Sequence, residues 1–136
     1  MPLDTTSFGN ALNSLASALQ RYDASPHDDL YRDACIQRFE YSYELSHKML
    51  RRFLEMTEPS RKIVEEMSFP TLIRTGFERG LVRGSWDVWE EYRKKRGTTS
   101  HAYDEDKANE VFESIPGFLE EARYLLDELR RRADQA

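Results

Sequence analysis

The sequence predicts an all-α protein: an up-and-down bundle of four to five helices in a single domain over residues 1–136. Apolar residues recur in alternating steps of three and four along most of the chain, which is the spacing of one helix face. No run alternates at period two for long enough to form a strand. With 6 Gly and 5 Pro the chain is poor in turn residues, and its 39% apolar content suffices for one core.

The first two helices are predicted from apolar stripes and from residues that favour helix ends. The first covers about residues 7–23, with Thr5, Thr6 and Ser7 as candidate caps, and Pro26 stops it. The second begins at the aspartate pair after Pro26 and ends near residues 57–60. The stripe of the first comprises Phe8, Leu12, Leu15, Leu19 and Tyr22, and that of the second Tyr31, Cys35, Phe39, Ser42, Ser46, Met49, Phe53 and Met56.

Shorter elements are predicted in the second half of the chain. Residues 61–68 are polar enough for a short helix or a loop, and a short helix follows over residues 69–79 with Gly80 as its C-terminal cap. Ser85 caps the next helix, which is broken at residues 97–100 and carries Trp86, Trp89, Tyr92 and Arg96.

One long helix is predicted from Asp104 to the C-terminus. Its apolar stripe continues through Pro116, and a missing hydrogen bond bends a helix more readily than it ends it, so a kink at Pro116 is expected. The stripe comprises Val111, Ile115, Phe118, Ala122, Leu125 and Leu129.

Composition excludes several classes of protein. A formal net charge of -5 argues against a protein-wide basic surface for nucleic acid, although a local patch remains open. The single cysteine, Cys35, excludes an internal disulfide framework and a Cys-rich zinc site. Residues 5–20 are uncharged but interrupted by polar residues, so they form neither a signal peptide nor a membrane span. We expect a soluble, cytoplasmic protein without a metal or cofactor.

Residues 92–103 are the electrostatic exception, because they carry four positive charges and no negative one. Solvated cations at a helix C-terminus, where they complement the helix dipole, are the plainer interpretation. Arg96, however, shares a helix face with Trp86 and Trp89, so its guanidinium should face the packed side and need a polar or anionic partner. The candidate RNA-binding cations are Arg93, Lys94 and Lys95.

Arg96 and His101 form a candidate catalytic pair. On an unbroken helix they would lie about 140° apart, but a turn at residues 97–100 could bring them together. A histidine beside an arginine has a lowered pKa and can accept a proton from a ribose 2′-hydroxyl, while the arginine holds the phosphate. Such a pair would cleave RNA without a metal. The alternative is a structural, hydrogen-bonding histidine.

Arg96, His101 and Tyr103 match the R-x4-H-x-Y motif of the HEPN superfamily, in the branch of HepT-like, or nucleotidyltransferase substrate-binding, proteins. Further matches lie at residues 37–40 with Glu44 and Leu45, at 80–82 and at 100–104. The chain resembles this family over about residues 8–130.

The resemblance implies a helical bundle that dimerises and brings Arg96 and His101 of both protomers to one cleft. In HEPN ribonucleases the matching residues are the catalytic pair, and the tyrosine matching Tyr103 is similar to the one that a partner nucleotidyltransferase modifies with AMP. We therefore expect a metal-independent ribonuclease toxin of a toxin–antitoxin pair, neutralised by a minimal nucleotidyltransferase through AMPylation. Surface aromatics on the motif helix, Trp86, Trp89 and Tyr92, also favour a homodimer.

Two positions depart from the family pattern. Many HEPN ribonucleases have a polar residue where this chain has Gly97, and relatives often have Trp at the position of His47. The alternative function is therefore a non-catalytic substrate-binding subunit that docks on the nucleotidyltransferase; a plain structural bundle would leave the basic segment unexplained. Glu44 and His47 have the Glu-x-x-His spacing of di-iron bundles, but no second copy exists, so a solvated or packed His47 is expected.

Overall fold

The structure, a computed structural model, describes residues 3–135 and confirms the all-helical class, with no strand in that range. The elements are α1 (Thr6–Ala24), α2 (Asp29–Thr57), α3 (Arg61–Glu65), α4 (Phe69–Glu78), α5 (Trp86–Thr98), a 3-10 turn (Thr99–His101) and α6 (Glu105–Gln135). The segment expected to be either helix or loop forms α3. Helix α1 packs along α2, and α6 packs against α1, α2 and α5. Every helix in residues 3–135 is too short or too polar to cross a membrane.

The core lies where α2 and α6 meet, and the predicted stripes form it. All six predicted apolar positions of α6 are buried, and so are Ser42 and Ser46 of α2, whose small side chains suit close packing. Met56 is an exception, since its side chain is 51% exposed where the last turn of α2 leaves the core.

Helix ends follow the predicted capping residues in part. The Asp28 carboxylate accepts from the backbone N–H of Leu30, and Gly80 takes the positive φ of 73° that ends α4. At α1 the cap differs from expectation, because the carboxylate of Asp4, rather than a hydroxyl, accepts from the N–H of Thr6. Ser85 precedes α5 without a side-chain capping bond.

The α-helix α5 ends at Thr98, inside the predicted break at residues 97–100, but Gly97 itself is still helical and the chain passes directly into the 3-10 turn. One glycine costs a helix only about 1 kcal/mol, which neighbouring contacts can offset. The hydroxyls of Thr98 and Thr99 donate to the carbonyls of Lys94 and Arg96 and so support this last turn. Helix α6 is likewise continuous through Pro116, and its kink stays a prediction.

His47 and Arg51 fasten the α3–α4 region to α2. The Arg51 guanidinium donates to the carbonyls of Val64 at 2.7 Å and Met67 at 3.1 Å, and lies 3.3 Å from Nε2 of His47. The His47 ring packs on Phe69 with centroids 4.1 Å apart, so His47 is packed, as expected. Burial, and after it the charge of Arg51, lowers the pKa of His47.

This contact predicts a pH-dependent stability. Because the folded protein binds a proton at His47 less readily than the unfolded chain does, His47 costs stability as the pH falls below its ordinary pKa of 6.5. His47→Gln keeps an acceptor for Arg51 and removes the titration. We expect its urea midpoint to fall less than that of wild type between pH 7.5 and pH 5.5.

The matched control is His27→Asn, at an exposed turn residue with a positive φ of 71° that Asn tolerates. Its midpoint should fall as much as that of wild type. An equal fall for His47→Gln and wild type would contradict the assignment.

Candidate functional site

The aromatic face of α5 points into the helical bundle. Trp89 is 1% exposed and makes edge contacts with Tyr92 and Phe118, at centroid distances of 5.8 and 6.2 Å. Trp86 packs on Phe69 at 5.8 Å. The expectation that these aromatics exceed what one bundle can cover is therefore wrong. The aromatic residues therefore do not support a homodimer, which stays a prediction from the family resemblance.

Arg96 has the anionic partners that its position on α5 predicts. Its side chain is 31% exposed. Nε donates to Oε1 of Glu44 at 3.0 Å, a terminal nitrogen lies 3.5 Å from Oε1 of Glu40, and the other donates to the hydroxyl of Thr99 at 3.4 Å. The guanidinium is thus held between α5, α2 and the 3-10 turn.

The two glutamates lie on one face of α2 because they are four residues apart. Neither was identified as a site residue from the sequence, although both fall within the matched segments of α2. Their i, i+4 spacing is compatible with any solvated helix face, so only the tertiary contact with Arg96 gives them a role.

His101 and Tyr103 lie at the exposed end of the 3-10 turn. The imidazole makes no side-chain hydrogen bond with another residue in the range 3–135, and its ring centroid is 6.1 Å from that of Tyr103. No hydrogen bond joins Arg96 to His101 within the same range, and the chain turns at Thr99–His101, after a helical Gly97. The structure therefore places one fixed cation and one free imidazole on consecutive turns.

Tyr103 is the most accessible aromatic side chain of the region, with 87% of its surface exposed. It borders a small cleft of about 280 Å³ together with Gln37, Glu40 and Thr99. Glu40 thus contacts Arg96 and also faces this cleft. The cleft thus joins Tyr103 to two of the residues that contact Arg96, Glu40 and Thr99.

The three candidate RNA-binding cations differ in their surroundings. Lys95 bonds Glu110 of α6 at 2.8 Å and lowers the pKa of that carboxyl, so it ties α5 to α6. Lys94 lies 3.4 Å from Glu91 of its own helix. Arg93 is exposed and has no ion pair among the described side chains. Of the three, Arg93 therefore has the charge that is most available to a ligand.

Gly97 lies in the helix beside Arg96, and a β-carbon built there would meet no atom within 4 Å. The glycine is therefore not required by packing. A polar side chain at this position would extend into open space next to the pair.

Comparisons with known proteins agree on one family. The family model described as "Nucleotidyltransferase substrate binding protein like" matches residues 3–131. A protein of Haemophilus influenzae named "Probable ribonuclease HepT" is 39% identical over 97 residues, which cover 71% of this chain and 66% of that protein.

Two solved structures share the fold. One, from Haemophilus influenzae, is described as the fold of a substrate binding domain of a nucleotidyltransferase; it has a TM-score of 0.86 and 32% identity, over 93% of this chain and 99% of that one. The other, from Thermus thermophilus, has a TM-score of 0.67 and 30% identity, over 88% of this chain and 98% of that one.

The contacts of Arg96 with the two glutamates of α2 predict a measurable coupling free energy between these residues. In a double-mutant cycle of Arg96→Ala with Glu44→Gln, urea unfolding should give a coupling of about 0.2–1 kcal/mol, the range of partly exposed ion pairs. The coupling with Glu40→Gln should be smaller, since its oxygen is farther from the guanidinium. Both should shrink in 1 M salt, where the Debye length is about 3 Å. A salt-independent or absent coupling with Glu44 would refute the pairing.

Proposed function

The chain belongs to the family of nucleotidyltransferase substrate binding protein-like proteins, and from that membership we propose that it is a metal-independent ribonuclease toxin with Arg96 and His101 as its catalytic residues. One observation carries the proposal. The exposed imidazole of His101, which has no hydrogen-bond partner among the described side chains, lies one turn after the guanidinium of Arg96, which Glu44 holds in place. A relative at 39% identity, named a probable ribonuclease, supports the same class of reaction.

The reaction needs Arg96 and His101 of this site and, for its last proton, the His101 of a second copy. Neutral His101 accepts the proton of a ribose 2′-hydroxyl, and the 2′-oxygen attacks the adjacent phosphorus. The bond from phosphorus to the 5′-oxygen breaks, which leaves a 2′,3′-cyclic phosphate and a 5′-hydroxyl. The 5′-oxygen takes up a proton, which a second His101 would supply in the dimer expected from the family.

Arg96 keeps donors for the phosphate even though it is paired. A guanidinium has about five N–H donors. Glu44 faces the N–H of Nε, Glu40 faces one terminal nitrogen, and Thr99 faces the other. Each terminal nitrogen carries two N–H groups, so one N–H on each is left for the phosphate. Those two donors can bind two phosphate oxygens and stabilise the charge that develops on them.

We propose that a cognate minimal nucleotidyltransferase silences the toxin by attaching AMP to Tyr103. The phenol is exposed enough for another enzyme to reach it. Its oxygen would attack the α-phosphorus of ATP, pyrophosphate would leave, and the phenolic proton would pass to a base on the partner. The product places a negative phosphate and an adenosine beside His101, where they repel and block an RNA backbone.

The second candidate is a non-catalytic subunit that docks on the nucleotidyltransferase and completes its substrate site. The family description and the solved relative described as a substrate binding domain favour it. Gly97, which adds no side-chain donor beside Arg96, favours it as well. The two candidates differ in whether the purified chain cleaves RNA.

The catalytic pair gives a first prediction. Arg96→Ala and His101→Ala should each reduce RNA cleavage by about 100-fold or more, the contribution typical of a general base or a charge stabiliser. Circular dichroism should show an unchanged helix content, since neither residue belongs to the buried core. Cleavage should persist in EDTA. Arg123→Ala, at an exposed cation on α6, is the control and should cleave like wild type.

Cleavage by both variants at the wild-type rate would refute the catalytic pair, and loss on chelation would refute metal independence. If the wild type cleaves no RNA while Gly97→Asn does, the natural chain is the binding subunit.

The modification gives a second prediction. Tyr103→Phe keeps the ring and loses the acceptor oxygen, so it should remain active and escape the nucleotidyltransferase. With ATP and the partner, wild type should gain mass in steps of one AMP and stop cleaving RNA. Tyr31→Phe, at a tyrosine near the start of α2, is the control and should be modified like wild type. Silencing of Tyr103→Phe would instead indicate control by complex formation alone.

A further inference from the structure

An open groove of about 690 Å³ runs along the outer face of α2. Glu44 lies toward its N-terminal end and Glu55 at its C-terminal end, with Lys48 and Arg52 between them. Because Glu44 also holds Arg96, the groove opens directly beside the proposed catalytic guanidinium. A chain that lies in the groove can therefore reach the site without a change in the fold.

The groove is positively charged although the protein has a formal charge of -5. Its lining holds three cations, Lys48, Arg51 and Arg52, against the two carboxylates. Glu44 lies 3.0 Å from Arg96, which also pairs with Glu40, and Glu55 lies 3.3 Å from Arg61, which also pairs with Glu65. Lys48 and Arg52 are exposed and have no ion pair among residues 3–135.

Two further cations lie close to these two. Arg51 also keeps its charge, since its hydrogen-bond partners are backbone carbonyls and the His47 ring. Arg93 of α5 is near His47, which lines the groove, because its charge adds to burial and Arg51 in lowering the pKa of that histidine.

The groove also offers a fixed aromatic surface. Tyr41 is 39% exposed, and its hydroxyl is hydrogen bonded to that of Ser14 on α1 at 3.1 Å, which restrains the ring. The partly buried Leu45 lines the same wall. Cations that track a backbone beside a ring on which a base can stack are the combination that binds single-stranded nucleic acid.

The spacing of the two free cations fits the same ligand. Lys48 and Arg52 are one helical turn apart, a rise of about 6 Å, so both can contact successive phosphates of one strand. We propose that the groove binds the single-stranded RNA that flanks the scissile phosphate, with Lys48 and Arg52 on phosphates and Tyr41 stacked on a base. The proposal rests on the proposed ribonuclease function and names the substrate-binding surface for it.

The test measures binding of a fluorescein-labelled 20-nucleotide single-stranded RNA by anisotropy, with His101→Ala as the parent so that the RNA stays intact. Adding Lys48→Ala and Arg52→Ala should weaken binding by about 10-fold or more and reduce the slope of log K against log salt by about 1.4, or 0.7 for each lost phosphate contact. Tyr41→Ala should weaken binding by about 10-fold and leave the slope unchanged. Lys62→Ala with Arg74→Ala, at exposed cations of α3 and α4, is the matched control and should bind like the parent.

A second measurement separates this proposal from the ribonuclease proposal. With His101 restored, the groove variants should cleave a dinucleotide, too short to fill the groove, at the wild-type rate, and should show a raised KM on the long RNA. If the groove variants bind RNA as tightly as the parent, the groove is not the RNA-binding surface, and the ribonuclease proposal is unaffected. RNA binding by neither parent nor variants would overturn both. If the groove variants still bind RNA but no longer bind the nucleotidyltransferase or self-associate, the groove is a protein-docking surface and the RNA assignment is wrong.

Discussion

The position of α5 depends on the aromatic contacts of Phe118. From α6 its ring meets Phe39 of α2 edge-on at 5.0 Å, and Trp89 and Tyr92 of α5 at 6.2 and 5.5 Å. These contacts bury the α5 face that carries Trp89 and fix the register of α5 along α2. A slip of one turn, about 5.4 Å, would move Arg96 away from Glu40 and Glu44. The polar site is therefore a consequence of apolar packing two turns away.

The pairing of Arg96 contributes position more than stability. Ion pairs that are this exposed add at most about 1 kcal/mol, so the glutamates are not needed to hold the bundle together. They do lower the net positive charge beside the proposed phosphate site, which weakens long-range attraction of RNA. Cations elsewhere can supply that attraction, and the free ones lie at Arg93 and along the groove of α2. In the proposed function, Arg96 then positions the phosphate, whereas Arg93 and the cations of the groove attract the RNA.

The sequence predicts local features of this protein much better than pairings between distant segments. The stripes of α1, α2 and α6 and the cap at Gly80 follow from spacing and residue type, and the α6 stripe survives Pro116 because burial outweighs one lost hydrogen bond. The motif likewise identifies Arg96 and His101. The partners Glu40 and Glu44 are about 50 residues away in the chain and carry no local signal of that contact. The burial of Trp89 also depends on Phe118, so much of the aromatic surface expected from α5 alone is covered within the chain.

The two halves of the motif differ in how firmly the fold holds them, and this difference suits control by modification. Arg96 is braced by three side chains, whereas His101 and Tyr103 extend from a short 3-10 turn into solvent. A group added to Tyr103 would therefore displace little of the core, and its charge would act on the imidazole and on the phosphate of the proposed substrate. The same modification on a buried tyrosine such as Tyr43, which is 5% exposed, would require partial unfolding because another enzyme could not reach it in the fold. A switch that silences activity without unfolding the protein thus needs its acceptor at the exposed end of the motif, which is where Tyr103 lies.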